Sequence, residues 1–490
     1  MNVKSIFNVV GILLILLAGI LLVPIGVSLY YDHPPLDGYM SEFYAFSLTS
    51  CLSGSVGFLL WKLLPSGIES LRDREGFAIV GLSWIFISLA GSLPFYFTGV
   101  CPEFVDAYFE AMSGFTTTGA SILTDIDSVP QGILFYRGLS QWLGGMGIII
   151  LSLAIFPALG IGSFHLFKAE VPGGSSFEKV QPRLTETAKM LWKTYVSLTV
   201  LEIIFLKFAG MSYFDAICHT FSNVSTGGFT PHQGSIAYFN SVYIEGIVIL
   251  FMLLGGINFA LHYQLVHRNF RLVFQNPELR FYISMISICV LIATVGLWAH
   301  APETDLGAAF RKASFNIISI NTTSGFATDD FNQWPNHLKM MLLGIMMVGG
   351  CAGSTSGSLK AIRFIILFKV IFRELQKLVH PRAIIHVKVG KKTIDPDHLM
   401  NVISLTSLFM GISALNFFIL SAMGIDLATS GSAAIASLFN IGPGLGQISP
   451  AGNYADIPFL GKWVIIISML MGRLEIYAIL LLFMPVTWRK

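Results

Sequence analysis

The sequence predicts an all-α integral membrane protein with ten spans. An N-terminal pair of spans precedes four tandem repeats, each made of a span, a short helix, a glycine loop and a second span. Of the 490 residues, 54% are apolar and only 12% are charged, against roughly 25% charged in soluble domains. Apolar runs of spanning length recur along the chain, and one loop pattern returns four times between them. The bilayer is therefore the expected solvent for most of the surface.

A helix needs about 20 apolar residues to cross the hydrocarbon core of a bilayer. The predicted spans are residues 5–31, 43–61, 77–102, 138–167, 194–214, 246–267, 281–302, 340–359, 399–425 and 463–488. The fifth contains Glu202 and Lys207, and the tenth contains Arg473 and Glu475. The first run is too long for the apolar core of a signal peptide, so we expect it to be retained as a span.

The distribution of lysine and arginine predicts the orientation. If both termini are cytoplasmic, the inner segments hold 23 of the 30 basic residues and the outer segments hold six. Cytoplasmic loops carry such an excess, so we expect both termini in the cytoplasm. The net charge of +2 gives no basic face for nucleic acid. The five cysteines show no metal-binding spacing and are expected to be buried small hydrophobes.

Four outward segments share one pattern: a short apolar helix followed by a loop rich in Gly, Ser and Thr. The glycines of this pattern are Gly119, Gly227, Gly325 and Gly444, which are 108, 98 and 119 residues apart. The predicted division of the chain is a two-span N-terminal domain at 1–75 and repeats at 76–170, 171–275, 276–395 and 396–490. The fourth loop diverges most, because Gly442 and Pro443 stand where the first has Thr117 and Thr118.

Such loops suit the coordination of a dehydrated cation. Rings of backbone carbonyls replace the water shell of an ion, and threonine hydroxyls can add to them. Glycine reaches the backbone angles that this arrangement needs at little steric cost. The alternative for any single loop is a helix-packing surface, but four copies at similar spacing favour one pore. A second alternative, a polytopic membrane enzyme or lipid-handling protein, would require a cluster of His, Asp or Glu, whereas these loops offer hydroxyls, amides and backbone.

On these residues, and over nearly its whole length, the chain resembles the Trk/Ktr/HKT superfamily of cation transporters. The extra N-terminal pair of spans resembles the longer Trk branch rather than the shorter Ktr branch. The resemblance implies a homodimer in the bacterial inner membrane, with one pore per protomer. It also implies a cytoplasmic ring of nucleotide-binding RCK subunits of the TrkA type. No organic cofactor is expected in this chain.

The resemblance implies a selectivity filter made of one quartet from each loop. The residues are Thr116, Thr117, Thr118 and Gly119; Val224, Ser225, Thr226 and Gly227; Thr322, Thr323, Ser324 and Gly325; and Ile441, Gly442, Pro443 and Gly444. Members with Ser at the first filter glycine favour sodium, so Gly119 favours potassium. Sodium or mixed conduction is the nearer alternative, and the sequence leaves open whether transport is channel-like or coupled to H⁺ or Na⁺.

The eighth predicted span contains many residues that weaken a helix. Its glycines each cost about 1 kcal/mol relative to Ala, so a break at mid-membrane that lines the cavity is expected. The resemblance places a gating loop here, and the gating residues would be Gly349, Gly350, Gly353, Ser354, Thr355, Ser356 and Gly357, with Arg473. A phosphate-binding loop is the weaker alternative, since the GxxxxGK[ST] spacing is absent.

Arg473 is a charge inside a span, where an ionisable residue is by default functional. We expect it to donate hydrogen bonds to the gating loop and to raise a barrier to cations. The alternative is an ion pair with Glu475 or Glu202.

Five further polar residues lie near the short helices. We expect Asp106 and Asp215 to cap their helices and Glu110 to accept a hydrogen bond from loop backbone behind the filter. His219 and His232 are expected to be solvated or packed. The basic segment 360–392 is either a docking surface for the regulatory ring or a lipid-facing stretch.

Overall fold

The structure is a computed structural model that describes residues 2–64, 73–147, 184–300, 305–390 and 392–488. Within these ranges, five helices are long and apolar enough to cross a membrane, and two bent helix pairs bring the number to seven if each counts as one span. Ten spans therefore remain a prediction, and most of the predicted span 138–167 lies outside the described residues. Three of the five helices bury only 28% of their most apolar window, so most of that apolar surface faces outward.

The N-terminal pair consists of α1 (Val3–Ile20), its continuation α2 (Leu22–Tyr31) and α3 (Glu42–Leu63). Asn2 caps α1 by accepting a hydrogen bond from the Ser5 amide at 3.3 Å. Gly11 and Gly57 let α1 and α3 approach closely, since a Cβ on either would come within 2.7 Å of the other's carbonyl oxygen.

The next segment contains α4 (Asp73–Phe97), α5 (Phe104–Phe115) and α6 (Gln131–Met146). Helix α5 is only 12 residues long, yet every side chain from Ala107 to Phe115 is buried. A helix that is apolar and buried on all sides lies inside a larger assembly of helices. This matches the short helix that the sequence predicts in the first repeat.

The third segment contains a 3₁₀ helix at Ser235–Phe239 and five α-helices: α7 (Leu184–Phe208), α8 (Tyr213–Val224), α9 (Val242–Gly256), α10 (Phe259–Val266) and α11 (Phe270–Phe274). The segment expected to span at 246–267 is not one straight helix, because α9 and α10 meet at 105°. Asn258 starts the new helix by accepting a hydrogen bond from the Ala260 amide at 2.8 Å.

The fourth segment contains α12 (Pro277–His300), α13 (Leu306–Asn321), a 3₁₀ helix at Phe331–Gln333, α14 (Asn336–Met346) and α15 (Ala361–Val379). Between α14 and α15 the chain leaves the helix over residues 347–360, which we call the inner loop. The break expected in the eighth span is therefore present. Beyond α15, β1 (Lys388–Val389) pairs antiparallel with β2 (Lys392–Thr393), with Lys388 opposite Thr393.

The last segment contains α16 (Pro396–Ala422), α17 (Leu427–Leu438), a 3₁₀ helix at Gly446–Ile448, α18 (Phe459–Arg473), α19 (Tyr477–Phe483) and α20 (Pro485–Trp488). The segment expected to span at 463–488 is bent rather than straight, since α18 and α19 meet at 118°. Glu475 and Ile476 both have positive φ, at 53° and 61°, and this left-handed pair turns the chain.

The short helices and the helices that follow them pack in a closed cyclic order. Helix α6 packs against α8, α9 against α13, α14 against α17, and α18 returns to α5. Each short helix thus lies between the helix that follows it and a helix from the segment before. This packing brings the four loops after α5, α8, α13 and α17 into one neighbourhood.

Candidate functional site

The four short helices end in the same backbone conformation. Each is followed by a residue with positive φ and, two residues later, by a glycine with positive φ. The pairs, with their φ angles, are Thr117 (52°) and Gly119 (78°), Thr226 (57°) and Gly228 (85°), Thr323 (61°) and Gly325 (72°), and Asn440 (53°) and Gly442 (94°). These stretches are the glycine loops.

One hydrogen bond recurs in every glycine loop, between an amide and the carbonyl five residues earlier. The donors and acceptors are Thr118 to Ser113 at 2.9 Å, Gly227 to Ser222 at 2.7 Å, Ser324 to Ser319 at 2.9 Å, and Ile441 to Ala436 at 2.9 Å. Four segments with different side chains therefore each adopt the same hydrogen-bonded turn, which we call the hairpin.

When the four loops are compared by backbone conformation, the equivalent residues in the second and fourth loops differ from those that the sequence pattern predicts. Gly119 corresponds to Gly228 and Gly442, whereas the sequence pattern aligned it with Gly227 and Gly444. Val224 is the last residue of α8, and the Gly444 amide donates to the Ile448 carbonyl at 2.7 Å, away from the shared hairpin. The equivalent quartets are 225–228 and 439–442. The sequence pattern does not determine this equivalence, because the second and fourth loops each offer two glycines for the same position. These are Gly227 and Gly228 in the second loop, and Gly442 and Gly444 in the fourth.

The glycine loops contact one another in cyclic order. A Cβ on Gly119 would lie 2.0 Å from the Gly227 carbonyl oxygen, and one on Gly228 would lie 2.1 Å from that of Ser324. A Cβ on Gly325 would lie 2.4 Å from the Ile441 oxygen, and one on Gly442 would lie 2.6 Å from that of Thr118. No side chain fits at these contacts without displacing backbone. Gly119, Gly228, Gly325 and Gly442 line a single outer cavity.

The threonine hydroxyls of the loops are mostly bonded to the protein. Thr116 Oγ1 donates to the Met112 carbonyl at 2.7 Å, and Thr322 Oγ1 donates to the Ile318 carbonyl at 2.8 Å. Thr323 Oγ1 accepts a hydrogen bond from the Gly357 amide of the inner loop at 2.7 Å. Apart from Thr117 Oγ1, which is buried with no partner among the described residues, carbonyl oxygens are therefore the main groups that the loops leave for other partners.

A buried ion pair braces the first two loops from behind. Arg137 Nε donates to Glu110 Oε1 at 2.8 Å, and both side chains are at most 1% exposed. Glu110 Oε2 accepts from the Ile122 amide at 3.0 Å, as the expectation for Glu110 required. Arg137 also donates to the Thr230 carbonyl at 3.0 Å, so one guanidinium joins both loops.

The capping role expected of the two aspartates is not what the structure shows. Asp106 lies in the first turn of α5 and pairs with Lys462 at 2.7 Å. The cap of α8 is Ser212, whose Oγ accepts from the Asp215 amide at 3.0 Å. The Asp215 carboxylate instead contacts His232 at 3.0 Å. Each aspartate carboxylate therefore has a partner outside its own helix, while Ser212 caps α8 locally and also donates to Asp215 Oδ2 at 2.7 Å.

His219 and His232 are packed against protein rather than solvated. His219 is fully buried, and His232 stacks on Tyr238 with ring centroids 3.8 Å apart. Burial lowers the pKa of His232, but the neighbouring carboxylates of Asp215 and Asp127 outweigh it. The pKa of His232 therefore lies above its ordinary value.

The inner loop lies directly beneath the glycine loops. Thr355 Oγ1 donates to the Val224 carbonyl at 3.0 Å, and the Ser358 amide donates to the Phe439 carbonyl at 3.0 Å. These acceptors lie at the C-terminal ends of α8 and α17, respectively. The Gly357 amide also donates to Thr323 Oγ1 of the third glycine loop. The inner loop is therefore hydrogen-bonded to three of the four repeated units, each at its glycine loop or at the helix end just before it.

Arg473 reaches the inner loop, as predicted. Its guanidinium donates to the Thr355 carbonyl at 3.1 Å and to the carbonyls of Gly144 and Gly145 at the end of α6. Glu475 pairs with Arg363, and Glu202 accepts a hydrogen bond from Asn223. An ion pair of Arg473 with either carboxylate, which was the alternative, is not among the described contacts. The inner loop, Lys360 and Arg473 line one inner cavity.

A family model described as "Cation transport protein", TrkH, matches residues 43–489. The chain belongs to the TrkH family. It is 40% identical over 493 residues to the Trk system potassium uptake protein TrkH of Escherichia coli K12, with both chains fully covered. It is 36% identical to TrkG of the same organism, covering 100% of this chain and 99% of the relative.

A solved structure of the TrkH family agrees with this architecture. The crystal structure of the potassium transporter TrkH from Vibrio parahaemolyticus superposes with a TM-score of 0.88 at 38% identity, covering all of both chains. These relatives are named as transport proteins rather than enzymes.

Three side chains that sequence reasoning missed support the loops of this TrkH-family chain. Arg137 is described above. Gln141 donates to the Gly227 carbonyl at 2.7 Å and accepts from the Phe229 amide at 3.0 Å. Asn440 donates to Thr118 Oγ1 at 2.8 Å and so joins the fourth loop to the first. The only signal for Arg137 and Gln141 was a charged or polar residue in or beside an apolar run.

Proposed function

We propose that this chain takes up potassium across the bacterial inner membrane, along an axis enclosed by the four glycine loops. The observation that carries the proposal is that four hairpins of one conformation contact one another in a closed ring. Backbone carbonyls presented in this way can replace the hydration shell of a cation. The full architecture of the proposal is four repeats around one pore, an extra N-terminal pair, ten spans and cytoplasmic termini.

Potassium is proposed on two grounds. The related Trk proteins are named as potassium uptake proteins. Position 119 is glycine rather than the serine that the family resemblance links to sodium. We propose as ligands those expected filter residues that also belong to the four equivalent loop quartets. They are residues 116–119, 225–227, 322–325 and 441–442. An inside-negative potential would drive uptake by about 2.3 kcal/mol per 100 mV for each cation.

The inner loop and Arg473 are proposed as the gate. A guanidinium charge beneath a cation filter raises an electrostatic barrier, and its hydrogen bond to the Thr355 carbonyl holds the loop beneath the filter. Partner subunits are proposed from the words "Trk system" in the names of the relatives. They would comprise a second copy of this chain and a cytoplasmic nucleotide-binding RCK ring, with the basic segment 360–392 as a candidate contact.

The test is ion flux into vesicles that contain the purified chain, with potassium compared against sodium. Wild type should prefer potassium, and Gly119→Ser should weaken that preference because its Cβ would meet the Gly227 carbonyl. Gly246→Ser is the matched control, since nothing lies within 4 Å of a Cβ at Gly246.

The outcomes separate the candidate functions. A wild type with no ion preference would replace the proposal with sodium or mixed conduction. Folded protein that carries neither ion would contradict transport and return the membrane enzyme to consideration.

A further inference from the structure

We infer that Glu278 is a positioning residue of the gate and holds the inner loop closed by tying together two points of the chain on either side of 353–357. The inference rests on the proposed function of the inner loop. Glu278 Oε1 accepts hydrogen bonds from the Ala352 amide at 2.7 Å and from the Ile362 amide at 3.1 Å. One oxygen therefore joins two points of the chain that flank Gly353 and Gly357.

Glu278 is held rigidly outside the loop that it binds. It lies in the first turn of α12 and is 8% exposed. Asn276 Oδ1 fixes this turn by accepting from the Glu278 amide at 2.9 Å and from the Leu279 amide at 3.0 Å. A carboxylate on a fixed helix end can thus act as an anchor for a segment that moves.

The chemistry of the contact favours a charged acceptor. Ile362 lies in the first turn of α15, where amides lack helical partners and a negative charge is favourable. Hydrogen bonds to a carboxylate are stronger than those to a neutral oxygen. Lys360 and Arg363 lie close enough to interact with the same carboxylate.

Glu278 acts at a different place from Arg473 and Thr323. Its bonds lie beside the backbone bonds from the Cys351 amide to the Gly256 carbonyl and from the Ala361 amide to the Gly350 carbonyl. Arg473 holds the carbonyl of Thr355, and Thr323 holds the amide of Gly357, both near the middle of the loop. A movement that clears 353–357 from the axis has its hinges beside Ala352 and Ile362. A movement that displaces Ala352 or Ile362 must break a bond to Glu278, so in such a movement the carboxylate biases the loop toward its closed position.

The experiment measures basal potassium flux through reconstituted Glu278→Ala and Glu278→Gln, with no regulatory subunit present. We expect Glu278→Ala to raise flux per folded protein about tenfold, which corresponds to about 1.4 kcal/mol. Glu278→Gln should raise it less, because its amide oxygen still accepts. The ratio of potassium to sodium flux should stay at the wild-type value, since Glu278 touches no glycine loop.

Glu42→Ala is the matched control. Glu42 is also a buried carboxylate that accepts a backbone hydrogen bond, from the Ile133 amide at 2.8 Å, but it does not contact the inner loop. Its loss should lower thermal stability without raising flux.

Three results would overturn the inference. One is wild-type flux in folded Glu278→Ala. Another, if the alanine variant does not fold, is wild-type flux in Glu278→Gln. The third is an equal rise in Glu42→Ala. A wild type that carries no potassium would instead refute the proposed function, and the inference with it.

Discussion

Arg473 is the residue that the proposed gate assigns to holding the inner loop beneath the filter. Its planar guanidinium donates to carbonyls of two different segments, the inner loop and the end of α6. A lysine carries the same charge but cannot span two acceptors in a fixed plane. The charge and the hydrogen bonds of this residue can therefore be separated by experiment.

We predict that Arg473→Ala raises basal potassium flux in vesicles, because both the barrier and the tether are lost. Arg473→Lys keeps the charge and should give an intermediate flux. Unchanged flux in the alanine variant, together with reduced expression, would assign Arg473 to packing alone.

Arg137 and Glu110 form a buried pair whose partners depend on each other. Removing one member of such a pair leaves an uncompensated charge and costs about 3–5 kcal/mol. We predict a loss of this size for Arg137→Ala, measured by thermal unfolding in detergent. Lys377→Ala is the control, since its pair with Glu374 is exposed and worth about 0–1 kcal/mol. Equal losses in the two variants would contradict the bracing role.

His232 makes stability depend on pH at the outer side. Asp215 and Asp127 face its ring and favour its charged form, while buried His219 lies beside it. Because the folded pKa of His232 is raised, its stabilisation is complete below about pH 6.5, its unfolded value. It is lost as the pH rises through the folded value.

We therefore predict that the gap in melting temperature between wild type and His232→Gln is larger at pH 6 than at pH 9. A gap that does not change over this range would show that stacking on Tyr238, rather than charge, explains the contribution.

The N-terminal helix pair, like the glycine loops, has glycines where a Cβ would collide with a backbone carbonyl of the neighbouring segment. We predict that Gly11→Ala lowers the melting temperature, because its Cβ would lie 2.7 Å from the Gly57 carbonyl. Gly19→Ala in the same helix should be neutral or stabilising, since nothing lies within 4 Å there and Ala favours a helix by about 1 kcal/mol. The reverse order of the two variants would contradict close packing of α1 on α3.

Sequence predicted helices best where apolar length decides them. Three of the described long spans, α3, α12 and α16, lie where hydropathy placed them. The bends in 246–267 and 463–488 were missed because neither carries a proline at the break. Asn258 turns one by capping a new helix, and a left-handed Glu475 and Ile476 turn the other. Both depend on partners that only the folded chain supplies.

The sequence predicted which segments form the candidate site, but it did not predict which residues of the four loops are equivalent. The repeated loop pattern predicted the four glycine loops, and the glycine-rich break in the eighth span together with the family resemblance predicted the inner loop and the contact of Arg473 with it. The equivalence of Gly119 with Gly228 and Gly442 follows from backbone angles and hydrogen bonds, which a run of neighbouring glycines does not encode. Glu278, Gln141 and Arg137 act through contacts over long sequence separations, and a single sequence gives no sign of those.

At the scale of the whole molecule, four unequal segments close into one ring. Helix α18 of the last segment packs on α5 of the first, and Asn440 joins the fourth loop to Thr118 of the first. The ring is complete within one chain, so each loop can carry different side chains while the backbone repeats. The proposed function depends at this scale on the common axis rather than on any one loop.

The most direct test of that axis is anomalous diffraction from crystals of the full chain in which rubidium replaces potassium. The account predicts anomalous density on the axis between Gly119, Gly228, Gly325 and Gly442, within coordination distance of the loop carbonyls. Rubidium bound elsewhere, with an empty axis in protein that transports potassium, would contradict it.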